Sequence, residues 1–256
     1  AQTSIEVAGN KINVLPYTEG MKYLGRLVNF SDYHDAELRF RLSRGWCKFS
    51  ALKKELCDKT YSLHSRLRLF QATVGATVLY GSSAWTLTAE RAHLLRTTQR
   101  KMLRKIIGTP RHLQSQQTDA TNSSSNSSED SSSDSIDDAD DRMSAGESWV
   151  EWIRRSTHIA EVALTKAGVS DWVVGHQKRL WRFAGHTARR CDGRWNTELL
   201  SWIPTGFRFD WRPKRRWSDA LDEFWLGRGV AAGGWIEQAQ DRDRWHALEV
   251  LFASAD

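Results

Sequence analysis

The sequence predicts a mainly α fold: a short N-terminal β-hairpin, a helical bundle, a disordered acidic linker and a second helical region rich in Trp. Three observations predict this order. Apolar residues recur at three- and four-residue spacing in successive stretches, which is the period of a helix with one buried face. Strand-like alternation is confined to the first thirty residues. Residues 113–147 contain almost nothing apolar, so they separate a block at 1–112 from a block at 148–256.

The hairpin is predicted from alternation within the extended residues 3–30. Apolar residues alternate with polar ones on both sides of a Gly-Asn pair, at Ile5, Val7, Ile12 and Val14. Gly and Asn adopt positive φ more readily than other residues, as a tight hairpin turn requires. We therefore expect the turn at Gly9-Asn10.

Three helices are predicted in the rest of the first block. The first carries its apolar stripe at Leu38, Leu42, Trp46, Phe49, Leu52 and Leu56. The second carries Leu63, Leu67, Phe70, Val74 and Val78, and it closes at Gly81. The third begins after Thr88, a predicted N-cap, has Glu90 in its first turn and ends at Gly108-Thr109-Pro110.

The block at 148–256 is also predicted to be helical. One helix starts near Trp149 and stops at Gly168, and Ser170-Asp171 caps the next, which carries Leu180 and Trp181. Short helices are expected near 216–226 and 237–252. Eleven of the thirteen Trp residues follow residue 148, and core packing is the simpler interpretation for most of them.

Charge is distributed unevenly along the chain. Residues 1–112 carry 19 Lys and Arg against 8 Asp and Glu, residues 113–147 carry 1 against 9, and residues 148–256 carry 17 against 14. The positive field of the first block would attract a polyanion. The acidic stretch cannot offset its ordering entropy by burying apolar surface, so a disordered linker is expected there.

Two ridges of cations on predicted helices are candidate phosphate contacts. Residues four apart share a helix face, which aligns Arg96, Arg100 and Arg104, with Lys101 and Lys105 as a second row. The first helix adds Arg41, Arg44 and Lys48. One such ridge is most simply a solvated face, but like charges at this spacing destabilise a helix. Two ridges in one block therefore favour an anionic partner.

A third candidate interleaves cations with indole rings between Trp211 and Trp217. Its cations are Arg212, Lys214, Arg215 and Arg216. Such a run can bind backbone phosphate while Trp stacks on bases, which is how single strands are held without sequence preference.

Catalytic and metal-binding patterns are incomplete. His186 and Cys191 are spaced like half of a zinc knuckle, but the Cys-x₂-Cys half is missing. There is no Gly-rich phosphate loop and no nucleophile elbow. The paired Asp residues at 137–141 lack flanking apolar strands that would fix a two-metal site. Three unpaired Cys, no secretory signal and no long apolar stretch indicate a reducing intracellular compartment and no membrane contact.

Five segments together resemble the reverse transcriptases of non-LTR (LINE-type) retrotransposons. They are MKYLGRLV at 21–28, LRLF at 67–70 with VLYGSSAWTLT at 78–88, RKMLRKIIG at 100–108, KRLWRFAGHTARR at 178–190 and RPKRRWSD at 212–219. Their order and spacing cover most of the chain outside the linker. Two features depart from the pattern: Trp211 stands where a Gly usually precedes Arg-Pro, and the acidic insertion is unusually long.

The resemblance implies that the chain is the primer grip, the helical thumb and the downstream region of an RNA-directed DNA polymerase. Tyr23, Leu24 and Gly25 would lie near the primer end, and the thumb would follow an RNA–DNA hybrid through Arg96 and its neighbours. The palm motif with paired Asp is not in this sequence, so no catalytic or metal residue is predicted and the chain alone should not polymerise. Mg²⁺ is expected only in the missing palm. The implied partners are the hybrid, RNA or DNA backbone, and the missing palm and fingers of the same polyprotein, in the nucleus.

Two other interpretations stay open from the sequence. The chain can be a degenerate or domesticated remnant that binds DNA or RNA without catalysis. It can also be a helical interaction scaffold whose cations only keep it in solution. Salt dependence of nucleic-acid binding separates the scaffold from the other two, because each neutralised phosphate releases counterions.

Overall fold

The computed structural model describes residues 3–16, 18–29, 33–112, 146–190, 192–201 and 215–254. In chain order the helices are α1 (Tyr33–Ala51), α2 (Lys53–Cys57), α3 (Leu63–Phe70), α4 (Ala76–Val78), α5 (Ala89–Ile107), α6 (Trp149–Lys166), α7 (Trp172–Ala188), α8 (Trp195–Ser201), α9 (Asp219–Leu226), α10 (Trp235–Gln238) and α11 (Arg242–Ser254). The mainly helical prediction is confirmed. Among the described helices, none is long and apolar enough to cross a bilayer.

Two antiparallel hairpins precede the helices. The first joins β1 (Thr3–Val7) to β2 (Asn10–Val14) and pairs Ile5 with Ile12. Its turn residues are Ala8 and Gly9, with φ of 50° and 77°, so the predicted turn at Gly9-Asn10 is wrong by one position. The reason is the register: Asn10 already pairs with Val7, which leaves the two positive-φ positions to the residues before it.

The second hairpin joins β3 (Met21–Tyr23) to β4 (Arg26–Val28). Its turn is Leu24-Gly25, with φ of 47° and 77°. Gly adopts positive φ without strain, whereas Leu does so rarely. The chain therefore holds Leu24 in an unfavourable backbone conformation at the tip of this hairpin.

The first core brings together residues from both sides of the acidic segment. It contains most of the predicted apolar stripes of the first two helices, buried apolar residues of α5, and Ala160 and Leu164 of α6 with Trp172 of α7. Trp172 stacks on Phe70, with 5.8 Å between ring centroids. The side chain of Gln99 accepts from the Trp172 amide at 2.9 Å and donates to the Ser170 carbonyl at 3.2 Å. In the folded chain, residues 1–112 and 148–256 both contribute to this core. That they are separate domains stays a prediction.

The second core forms around Trp181, in the later half of α7. Its ring stacks on Trp245 of α11 at 3.8 Å, and each indole donates to the other residue's carbonyl, at 2.8 Å and 3.0 Å. Trp225 and Trp235 are buried in the same cluster. Core packing is thus confirmed for these Trp residues. Helix α7 contributes to both cores and connects them.

The helix ends follow the predicted signals in most places. Thr88 accepts a hydrogen bond from the Arg91 amide at the start of α5, and Gly108 ends that helix with φ of 65°. The predicted first helix is divided at Leu52 into α1 and α2. The predicted second helix contains a π-helical turn at Gln71–Gly75 between α3 and α4. Helix α8 was not predicted.

Candidate nucleic-acid interface

Four predicted cations are exposed on two neighbouring helices. Asp35 in the first turn of α1 accepts from Arg91 in the first turn of α5 at 2.6 Å and 3.0 Å. At the other end, the Cys57 thiol of α2 lies 3.6 Å from the Lys105 carbonyl in the last turn of α5, so α1 and α5 run side by side in the same direction. The exposed cations are Arg44 and Lys48 on α1 and Lys101 and Lys105 on α5.

The three arginines predicted as a phosphate ridge contact the chain itself. Arg96 lies 3.9 Å from a carboxylate oxygen of Asp171, and Arg100 pairs with Glu161 at 2.6 Å. Arg104 donates to the Thr157 hydroxyl at 2.9 Å. Two of these arginines therefore have acidic partners within the chain, so the ridge does not depend on an external anion for charge compensation; its contact with phosphate stays a prediction. The residues that these arginines contact follow the acidic segment in sequence and lie on α6 and just before α7.

The local electrostatics of the ridge are consistent with that packing. Burial, and secondly the positive charge of Arg100, lower the pKa of Arg104. Like charges four residues apart on a helix destabilise one another. Glu161 and Asp171 offset this repulsion from the neighbouring elements. Lys101 and Lys105 form no ion pair with a described acidic residue, and both are exposed.

Arg41 was predicted to contact phosphate, but the structure buries it. Its guanidinium pairs with the fully buried Glu37 at 3.0 Å and donates to the Gly25 carbonyl. The Tyr80 ring lies 4.5 Å from the guanidinium carbon. Every side of this cation is thus used by the protein. Arg41 supports the second hairpin and is not available to a ligand in this conformation.

The backbone of the second hairpin turn is hydrogen-bonded to the protein, whereas the side chains at its tip are exposed. Gly25 is held through its carbonyl by Arg41, and the Leu24 carbonyl accepts from the Tyr80 hydroxyl at 3.1 Å. Glu37 accepts from the Leu27 amide at 2.5 Å. The side chains of Tyr23 and Leu24 remain 61% and 75% exposed. These two exposed side chains are therefore accessible on a turn whose backbone is held by the protein.

The run between Trp211 and Trp217 is described only from residue 215. Arg215 pairs with Glu223 at 2.6 Å, and the Arg216 amide donates to Asp219 at 2.7 Å. Trp217 donates through its indole to the Ser83 carbonyl at 2.7 Å. Arg212 and Lys214 lie outside the described residues. Trp217 thus has a structural role, and Arg215 is exposed but engaged.

Residues 79–86 connect three of the five segments noted in the sequence and also contact α7. Tyr80 contacts the second hairpin, and Ser83 accepts from Trp217. Trp85 stacks on His176 of α7 with 6.1 Å between centroids. Sequence analysis missed Glu37 and Tyr80 as supports of the hairpin tip. The four-residue spacing of Glu37 and Arg41 was a usable signal for their pair, whereas nothing local links Tyr80 to Leu24.

No metal site is found among the described residues: no three His, Cys, Asp or Glu side chains converge there. His176 is buried against Trp85, and Cys47 and Cys57 are free thiols. Cys191 lies outside the described residues.

The chain is similar to a Caenorhabditis elegans protein. The two are 26% identical over 230 residues, which is 88% of this chain and 68% of that protein. The name of the relative describes it as transposon-derived and uncharacterized. No protein-family model matches the chain. No solved structure matches it either.

The similarity to the transposon-derived protein extends over most of the described helices. With 230 aligned residues, the alignment has to include parts of both cores and cannot be confined to one motif. The relative therefore resembles most of this chain, and the name of the relative describes only the origin of that protein.

Proposed function

We propose that this chain is the nucleic-acid-binding C-terminal portion of a non-LTR retrotransposon reverse transcriptase. In this proposal it grips a template–primer duplex and depends on a palm supplied by other sequence for its metal ions and chemistry. The similarity to a transposon-derived protein supports the origin. The reverse-transcriptase assignment rests on the five sequence segments and on the way the structure joins them.

The proposal rests on how the protein holds the turn of the second hairpin. A buried arginine and a tyrosine hydroxyl fix the carbonyls of its turn, while Tyr23 and Leu24 project into solvent. A primer grip needs this combination, because a rigid tip positions a strand end only if its own backbone cannot yield. The exposed cations of α1 and α5 would neutralise the phosphates of the same duplex.

The proposal revises which cations contact the duplex. Arg96, Arg100 and Arg104 have partners in the chain, so Lys101 and Lys105, with Arg44 and Lys48, are the better candidates. Lysine and arginine at exposed helix positions act as phosphate contacts without sequence preference. Binding should therefore depend steeply on salt and weakly on base sequence.

The test is binding of a fluorescent RNA–DNA hybrid with a recessed primer, measured by anisotropy across a series of KCl concentrations. Replacing Lys101 and Lys105 with Gln should weaken binding and reduce the slope of log K against log salt by about 2, since each phosphate contact contributes about 0.9. The matched control replaces Lys11 and Arg242 with Gln, which removes the same charge from exposed positions on β2 and α11.

Two results would overturn the proposal. One is failure of the unmodified chain to bind the hybrid at low ionic strength. The other is an equal effect of the two double replacements, because net charge rather than the α5 surface would then account for binding.

Replacing Tyr23 and Leu24 with Ala should weaken binding of the recessed primer more than binding of a blunt duplex, as contact with a strand end requires.

A further inference from the structure

We infer that a cleft beside the second hairpin binds one nucleotide of a single strand, with a phosphate at Arg179 and the base against Tyr80 and Phe183. This inference rests on the proposed function and extends it from duplex contact to a strand that leaves the duplex. The cleft, named here the Arg179 cleft, lies between residues 79–83 and α7.

The cleft has the size and composition for such a ligand. Its volume is about 370 Å³, and α7 contributes Arg179, Arg182 and Phe183 to its wall. Pockets for small organic molecules have volumes of roughly 300–1,000 Å³. One nucleotide is accommodated in this space, whereas a base pair within a stacked duplex cannot enter it. The shape therefore favours a single strand.

The two arginines of the cleft differ in their partners. Arg182 makes a bidentate pair with the buried Glu249, at 2.8 Å and 2.6 Å. Arg179 is partly buried, and among the described residues no acceptor or carboxylate pairs with it. A guanidinium without a carboxylate partner is suited to bidentate phosphate contact. Arg179 is thus the cation that a bound phosphate would neutralise.

The electrostatic surroundings of Arg179 agree with this geometry. Burial, and secondly the charge of Arg182, lower the pKa of Arg179. Both effects disfavour its positive charge in the free protein, and a phosphate in the cleft would oppose both. The hydroxyl of Ser82, which also lines the cleft, is buried and has no hydrogen-bond partner among the described residues.

Two aromatic rings border the same space. Tyr80 is 49% exposed, and its ring is fixed by Arg41. Phe183 is 37% exposed and has an edge-to-face contact with Trp217 at 6.0 Å. Rings that are anchored yet exposed are the platforms on which bases stack without sequence preference. Because Tyr80 also holds the Leu24 carbonyl, the cleft is continuous with the hairpin tip.

The experiment compares binding of a fluorescent single-stranded oligo(dT) and a blunt DNA duplex by the full chain. The variants are Arg179→Gln and Phe183→Leu, and the control is Lys178→Gln, the adjacent cation of α7 that does not line the cleft. Each cleft variant should bind oligo(dT) about 10-fold more weakly, in line with the loss of one stacking or phosphate contact, and should bind the duplex as the unmodified chain does. Leu at position 183 retains apolar packing on Trp217, and circular dichroism verifies folding.

A second measurement locates the strand directly. Photocrosslinking with an oligonucleotide that carries iodouracil should label peptides containing Tyr80 or Phe183. Crosslinks confined to other peptides, or cleft variants that bind oligo(dT) like Lys178→Gln, would overturn the cleft while leaving duplex binding intact. Absence of binding to any nucleic acid at low salt would overturn the proposed function as well.

Discussion

At the scale of single residues, the surroundings of a charged side chain decide what it does. Arg41 and Arg44 lie three positions apart on α1, yet the first is buried and the second is exposed. Arg41 contacts Glu37, Gly25 and Tyr80, so its charge is compensated inside the protein. Arg44 faces solvent, where a cation contributes little to stability and is available to a ligand.

Replacing Arg41 with Ala should lower the free energy of unfolding by about 3 kcal/mol, because Glu37 would remain buried with weaker compensation. The comparable replacement Arg44→Ala should change it by less than about 0.5 kcal/mol. Urea denaturation followed by Trp fluorescence measures both. Equal, small effects would show that Arg41 is not a support of the hairpin.

His176 is a buried group whose titration affects stability. Burial lowers its pKa to about 4, although a hydrogen bond to the Ser82 backbone opposes this shift. The unfolded state takes up the proton near pH 6.5, and the folded state only near pH 4. Stability is therefore unaffected by this residue at neutral pH and is lost as the pH falls between these two values.

From pH 7 to pH 5 the contribution of His176 to the free energy of unfolding should fall by about 2 kcal/mol. The variant His176→Gln lacks this titration, so the difference between the two pH profiles isolates the residue from the other histidines. Denaturant titrations at both pH values provide the measurement. Parallel profiles would contradict a neutral, buried imidazole.

At the scale of secondary-structure elements, α5 carries two rows of cations with different surroundings. The row of Arg96, Arg100 and Arg104 faces α6 and the start of α7, and the row of Lys101 and Lys105 faces solvent. Helical periodicity predicts that two rows exist, but it does not tell which of them another helix covers. Removing a cation from one row should affect stability, and removing one from the other should affect binding.

A double-mutant cycle on Arg100 and Glu161 should give a coupling of about 0.5 kcal/mol, the usual size for a partly exposed pair. Both single replacements with Ala should leave the salt slope of hybrid binding unchanged. Denaturation curves and anisotropy titrations test these two expectations. If replacing Arg100 decreased binding as much as replacing Lys101 and Lys105, Arg100 would have to be counted among the residues that contact the duplex.

At the scale of the whole molecule, the ends of the acidic segment are held next to each other. The Glu147 amide donates to the His112 carbonyl at 2.9 Å, and the His112 amide donates to the Glu147 carboxylate at 3.1 Å. Arg155 pairs with the same carboxylate at 2.7 Å, and this bond lowers the pKa of Glu147 to about 2. His112 and Glu147, which lie on either side of residues 113–145 in sequence, are therefore hydrogen-bonded neighbours.

Replacing residues 113–145 with about four Gly and Ser residues should preserve the fold, because a short loop spans two hydrogen-bonded residues. It should raise the free energy of unfolding by about 1–2 kcal/mol, since each halving of loop length saves about 0.6 kcal/mol of closure entropy. Thermal and urea denaturation of the shortened chain provide the test. A large loss of stability would mean that these residues make contacts needed for folding.

The agreement between sequence and structure follows the range of the interactions involved. Apolar spacing located α1, α3, α6 and α7, and Thr88 and Gly108 marked the ends of α5 as predicted. The hairpin turn was placed one residue late and α8 was missed, because register and short helices depend on neighbours that local spacing does not contain. Of the candidate site residues, the exposure of Lys101 and Lys105 fits the prediction, whereas the burial of Arg41 does not.

The sequence by itself determined the helical class, the location of the acidic segment and the positions of the cationic rows. Each of these depends on residues within about two helical turns of one another, where geometry is fixed by the backbone. Only the tertiary structure decided which cations meet solvent and that Tyr80 supports the hairpin tip. Glu161, Asp171 and Tyr80 are remote in sequence from the residues they contact, and the distance between such residues is set by packing around the first core.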